Sequence, residues 1–119
     1  MLRPSNSLLE VFLCVEPIDF RKRIPGLSVW IESQLGRNPF SEHLYVFCNR
    51  RRDKVKMLYW ERNGFCLWEK RLEKDRFYWP KADREGILTL TGQQLNWLLD
   101  GVDISRLKPH EALCFSSVL

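Results

Sequence analysis

Apolar and polar positions alternate most regularly between Lys54 and Leu72, in KVKMLYWERNGFCLWEKRL, and Asn63-Gly64 interrupts that alternation. Asn-Gly between two alternating runs is a hairpin signal, because both residues tolerate the backbone of a tight two-residue turn. With Asn63 and Gly64 as the turn, the predicted pairs run outward from Arg62–Phe65 through Glu61–Cys66, Trp60–Leu67, Tyr59–Trp68, Leu58–Glu69, Met57–Lys70 and Lys56–Arg71 to Val55–Leu72. Directly paired side chains share a face of the ribbon. One face then carries Val55, Met57, Tyr59, Cys66, Trp68 and Leu72, with Glu61 and Lys70 near it, and reads as a core face. The other carries Lys56, Leu58, Trp60, Arg62, Phe65, Leu67, Glu69 and Arg71, a mixture of aromatic and basic groups that poses the functional question.

Around this hairpin the remaining elements follow from shorter signals. Leu8–Val15 is an apolar, β-branched and aromatic run, a buried strand ended by Glu16-Pro17, since proline removes a ladder donor and restricts its predecessor. A helix starting at Asp19 would hold Pro25 in its interior at a cost of about 3 kcal/mol. A turn over Asp19–Arg23 and a helix over about 25–35 avoid that cost, with Leu27, Trp30, Ile31 and Leu35 on its apolar side and Gly36 stopping it. His43–Cys48 is a second strand, Asn49–Asp53 a basic connection, Phe77-Tyr78-Trp79 a further short strand closed by Pro80, and Ile87–Leu90 a brief extended piece. Thr91 with Gln94 is a capping-box signature for a helix over about 92–100, and Gly101 follows at its end. The predicted class is α+β: a mostly antiparallel meander with a central hairpin at about 54–72, one face packed on two helices. A single domain spans residues 1–119, compact over about 8–104, with an irregular tail from Asp103 onward.

Composition adds a direction to this outline. The 119 residues are 45% hydrophobic and 29% charged, as in an ordinary globular domain, with a net charge of +4. That charge is unevenly placed: residues 49–81 hold eleven Lys/Arg against five Asp/Glu, and the remainder is net acidic. One segment carries the whole positive excess, the footprint expected for a polyanion and also that of a solvated basic sheet face. Cys14, Cys48, Cys66 and Cys114 are far apart and form no CxxC pair, so buried free thiols are expected, in keeping with a reducing cytoplasm. Met1–Leu13 has no signal-peptide pattern and no apolar run is long enough to span a bilayer.

Catalytic patterns are thin. The chain has no phosphate-binding loop, no GxSxG and no HExxH, and its two histidines, His43 and His110, stand in unrelated places. Its aspartates fall mostly where caps and turns want them. No enzyme activity, metal, cofactor or small-molecule substrate is expected. A DNA contact would use Arg50, Arg51, Arg52, Lys54, Lys56, Lys70 and Arg71 for phosphates, with Trp60 and Phe65 as stacking surfaces worth about 1–3 kcal/mol per base. Lys56 directly opposite Arg71 is destabilising unless Glu69 or a bound phosphate relieves it. The same face equally suits packing beneath a helix or a partner protein, with the charges as its rim. A second candidate is the loop holding Glu16, Asp19, Arg21 and Lys22, either tied to itself through Asp19 or presented as a rigid binding loop.

Five separated stretches carry a resemblance: VEPIDFRK, PFSEHLYVF, NRRRDKVKMLYWERNGFCLWEKRLE, FYWP and LTGQQLNWLLDGVD. In this order, over roughly residues 8–104, they resemble the TnpB accessory proteins, from the second open reading frame of the insertion-sequence sixty-six family of bacterial transposable elements. The matching positions include Glu16, Pro17, Asp19, Arg21, Lys22, Pro39, Phe40, Lys56, Trp60, Gly64, Lys70, Arg71, Trp79 and Pro80. The resemblance implies a non-catalytic factor in DNA transposition, working beside a separate, larger transposase that is expected to carry the catalytic acidic residues. Its implied partners are that transposase, the element's other accessory protein and DNA at the element ends. Arg23-Ile24-Pro25 departs from the glycine and helix-friendly residues usual at that place.

Overall fold

The apolar run VFLC is wanted on both faces at once, and the fold gives it the middle of a sheet. The structure, a computed structural model, describes residues 10–41, 43–80 and 86–104. Its elements are β1 (Val11–Cys14), α1 (Ile24–Gln34), β2 (Leu44–Cys48), β3 (Lys54–Glu61), β4 (Gly64–Arg71), β5 (Ile87–Leu90) and α2 (Gly92–Leu99). The five strands form one sheet in the order β4-β3-β2-β1-β5. β2–β3 and β3–β4 are antiparallel neighbours joined by short turns, and β5 returns antiparallel beside β1. β1 and β2 are parallel, and α1 is the crossover that such a pair requires. The α+β class, the mostly antiparallel sheet and the central hairpin are as the sequence predicts.

The helices do not share a face. Leu27 and Ile31 of α1 pack with Phe12, Cys14, Tyr45, Phe47 and Leu58. Leu95, Leu98 and Leu99 of α2 pack on the other side with Val11, Leu13, Leu44, Val46, Val55 and Met57. Alternation along β1, β2 and β3 therefore feeds two cores, which is why these strands carry few polar residues. Full burial of each such leucine or isoleucine is worth about 1.5–3 kcal/mol.

Local chemistry sets the helix ends. Arg23 is the N-cap of α1 with an extended backbone and no side-chain cap, and Pro25 stands in the first turn, where its missing N–H costs nothing. Trp30 meets Phe47 edge-on at 6.0 Å. α2 has the predicted capping box: Thr91 Oγ1 accepts from the Gln94 N–H at 3.1 Å, and Gln94 Oε1 accepts from the Thr91 N–H at 2.9 Å. Gly101, at φ 90°, takes the left-handed turn after the helix.

The hairpin differs from expectation in its turn. Arg62 and Asn63, not Asn63 and Gly64, join the strands, and Arg62 carries the positive φ of 51°. The observed register pairs Glu61 with Gly64, Trp60 with Phe65, Leu58 with Leu67, Lys56 with Glu69 and Lys54 with Arg71. Cross-strand chemistry accounts for the difference. Trp60 now meets Phe65 edge-on at 5.0 Å, and Lys56 faces a carboxylate, Nζ to Oε1 4.0 Å, instead of a guanidinium. Each pair slips by two positions in all, so every side chain keeps its predicted face.

Phe77-Tyr78-Trp79 is not a strand. Phe77 and Trp79 are buried and Tyr78 is exposed, as a strand would have them, but the segment crosses the sheet instead of running along it. The Phe77 N–H donates to Arg52 O at 2.7 Å, and Trp79 Nε1 donates to Cys14 O at 3.0 Å. The segment thus straps the α2 side of the sheet from the β2–β3 turn to the end of β1. Cys14 and Cys48 are buried free thiols, both pushed up to about 12 by that burial. Leu8, Leu9 and Cys114, residues 81–85 and all of the tail predicted from Asp103 except its first two residues lie outside the described residues.

Candidate nucleic-acid interface

Because β1 and β2 are parallel, their carboxyl ends emerge at the same edge of the sheet. The loops that follow them, 15–23 and 49–53, are thereby neighbours, although the sequence presents them as separate features. The Ile18 N–H donates to Cys48 O at 3.0 Å and fixes the first loop to the end of β2. Between them lies an open cleft of about 540 Å³. Pro17, Ile18, Asp19, Phe20 and Arg21 line one wall, and Asn49, Arg50, Arg51 and Lys54 the other.

The first wall is held from above and below. Asp19 accepts from the Arg21 N–H at 2.9 Å, from Arg21 Nε at 3.1 Å and 2.9 Å, and from Nη2 at 2.6 Å. Those hydrogen bonds hold the Asp19 carboxyl down at about 2, so it is ionised at any physiological pH. Beneath the loop stands Lys56, only 6% exposed. Its Nζ donates to Phe20 O at 2.8 Å and Lys22 O at 2.9 Å and lies 4.9 Å from the Phe20 ring centroid. Burial lowers its pKa, and Glu69 works against that shift. Lys56 is therefore a strut under the loop and leaves the predicted DNA-contacting set.

The second wall is a turn organised by Asn49. Its Oδ1 accepts from the N–H groups of Asp53 and Lys54, both at 3.1 Å, while Nδ2 donates to Asp53 Oδ1 at 2.6 Å. The Asn49 bond holds the Asp53 carboxyl below the usual carboxylate range. Arg52 takes φ 62° and returns the chain to β3, leaving Arg50 and Arg51 exposed at the tip. Among the described residues, Arg50, Arg51 and Lys54 have no carboxylate within ion-pair distance. Lys54 lies directly across the ladder from exposed Arg71, so the like-charge opposition predicted for Lys56 occurs here instead. Stretches 16–23 and 49–54 together hold seven Lys/Arg against Glu16, Asp19 and Asp53.

Other predicted site residues lie elsewhere. Lys70 is on the α2 face, where Nζ donates to Leu99 O at 2.8 Å and satisfies the end of that helix, so it too leaves the contact set. Arg52 does not line the cleft, and the Lys22 carbonyl is occupied by Lys56. Trp60 and Phe65 sit at the far end of the hairpin, about 20 Å along β3 from Lys54 at the usual strand rise. They are half-buried, and Phe40 packs on both, with centroids 5.0 Å from Trp60 and 5.3 Å from Phe65. Phe40 itself is 53% exposed. The basic and aromatic groups of the predicted face therefore form two sites. Sequence reasoning missed Asn49 as the organiser of its turn, although its turn-initiating chemistry was a usable signal, and it missed the meeting of the Asp19 loop with Arg50, which only the parallel pairing produces.

Among the described residues, no group of three or more His, Cys, Asp or Glu side chains is placed to hold a metal ion, and no helix is long and apolar enough to cross a membrane. The model of the family described as IS66 Orf2-like protein matches residues 9–109. Two similar proteins come from Sinorhizobium fredii (strain NBRC 101917 / NGR234), and both are described as uncharacterized. Protein y4hO is 33% identical over 100 residues, covering 84% of this chain and 86% of its own. Protein y4jC is 31% identical over 108 residues, covering 91% of each. No solved structure matches the chain.

Proposed function

The chain belongs to the IS66 Orf2-like family of insertion-sequence accessory proteins, and from that membership we propose that it is a non-catalytic DNA-binding factor in transposition. The element ends are its ligand, and the cleft between loops 15–23 and 49–53 is its contact surface. The observation that carries this reading is the convergence of the two basic loops, with Arg50, Arg51 and Lys54 lacking a carboxylate partner among the described residues. Side chains of this kind release counterions from a DNA backbone when they meet its phosphates. Arg71, opposed to Lys54, gains from the same anion.

Gel-shift titration on element-end duplexes at several salt concentrations tests the proposal. Replacing Arg50, Arg51 and Lys54 together by alanine should weaken binding at least about a hundredfold and flatten the slope of log K against log salt by about 2.7, at 0.9 per lost phosphate contact. Undetectable binding of the unaltered protein at low salt, or a slope that the triple substitution leaves alone, would refute it.

A second reading has its own support in the rings of Phe40, Trp60 and Phe65. An exposed aromatic packed on two others is the kind of anchor that protein interfaces use. Under this reading the distal end of the hairpin docks on the element's larger transposase. Phe40→Glu should then abolish co-purification with the transposase and leave DNA affinity within twofold. Retention of the complex by that variant would count against docking here.

A further inference from the structure

The two walls of the cleft differ in their electrostatics. Among the described residues Arg50, Arg51 and Lys54 form no ion pair, the Asp53 carboxylate acting on Arg51 and Lys54 only at longer range, and this wall suits phosphate oxygens. The opposite wall presents Arg21 already neutralised by Asp19, which disfavours a phosphate at the same place, because the carboxylate would repel it. The pair is also oriented. Asp19 takes Nε and one side of Nη2, the side-on edge of the guanidinium, so Nη1 and the outer hydrogen of Nη2 point away as a fork of parallel donors. The Arg21 side chain is 91% exposed, and that fork meets nothing else among the described residues.

We propose that the Asp19–Arg21 pair reads the O6/N7 edge of guanine on a DNA whose backbone is held across the cleft by Arg50, Arg51 and Lys54. This rests on the DNA-binding function proposed above and adds a specificity determinant to it. Guanine offers two acceptors at the spacing of an arginine fork, and Arg-to-guanine is the commonest specific contact in the major groove. A fork fixed in advance by a carboxylate loses less side-chain freedom on binding than a free arginine does. Three donor hydrogens of Arg21 fall on the Asp19 carboxylate, which leaves Oδ2 one acceptor site for the amino group of the paired cytosine, so the two side chains together match a G·C pair. Phosphate contacts position and base contacts specify, and the two walls divide those tasks.

The test compares two duplexes of the same guanine-rich sequence, one carrying 7-deazaguanine in place of guanine. That substitution removes the N7 acceptor and keeps base pairing and backbone charge. The unaltered protein should bind the guanine duplex about tenfold more tightly. Arg21→Lys, which keeps the charge and loses the fork, should bind the two duplexes alike, and Asp19→Asn should shrink the ratio by loosening the fork. Equal binding of both duplexes by the unaltered protein, or a ratio that Arg21→Lys leaves intact, overturns guanine reading while DNA binding stands. Failure to bind either duplex at low salt overturns both.

Discussion

Lys56→Ala should cost about 2–4 kcal/mol of stability and disorder the cleft, although the side chain lies beneath the cleft's surface. The substitution leaves the carbonyls of Phe20 and Lys22 without their donor, at about 1–3 kcal/mol for each group that water cannot reach. It also removes an alkyl stem packed between β3 and the loop. Urea unfolding of Lys56→Ala beside Arg50→Ala checks this. The exposed arginine should change stability by less than about 0.5 kcal/mol, as surface positions do. Lys56→Met, which keeps the stem and removes the ammonium, should fall between the two. A Lys56→Ala protein as stable as its parent would contradict the strut. Lys56→Ala is accordingly a poor probe of the proposed DNA contact, because a loss of affinity would follow equally from a dismantled wall.

The strap gives the second large effect. Trp79→Ala should destabilise by about 3–5 kcal/mol, the usual range for deleting a buried large aromatic. Trp79→Phe keeps most of the apolar burial and loses the Nε1 bond to Cys14 O, so about 1–2 kcal/mol is expected. Thermal unfolding of both variants provides the measurement. Similar losses for the two would show that the hydrogen bond matters more than the ring. Negligible loss in Trp79→Ala would show that the strap is not anchored at this residue.

What the sequence made legible was local. The apolar runs of β1, β2 and β3, the start of α1 at a proline and the Thr91–Gln94 box each depend on residues a few positions apart, and each is found where expected. The hairpin faces were legible because they depend on parity alone, and parity survived a turn shifted by one residue. The turn was not, because Asn63-Gly64 competes with the Trp60–Phe65 and Lys56–Glu69 pairs, which only one register satisfies. Phe77-Tyr78-Trp79 shows the same in-out-in pattern whether it lies along the sheet or across it. The cleft was legible in halves: both basic loops were singled out, but their meeting depends on the parallel pairing of β1 with β2. Lys56 was misplaced because its acceptors, 36 and 34 residues away in the chain, leave no trace in its neighbourhood.

That parallel pairing also bears on the order in which the molecule assembles. β2, β3 and β4 are consecutive antiparallel neighbours whose contacts close short loops, and such contacts form early. β1 must span α1 to reach β2, and β5 must return from beyond the strap to reach β1, so both pairings close long loops at greater entropic cost. A chain with only β2–β4 in place already presents the Arg50–Lys54 turn, yet it lacks the wall that carries Asp19 and Arg21. The two walls of the cleft therefore mature at different times: the turn bearing Arg50, Arg51 and Lys54 is in place before the Asp19–Arg21 loop is set beside it.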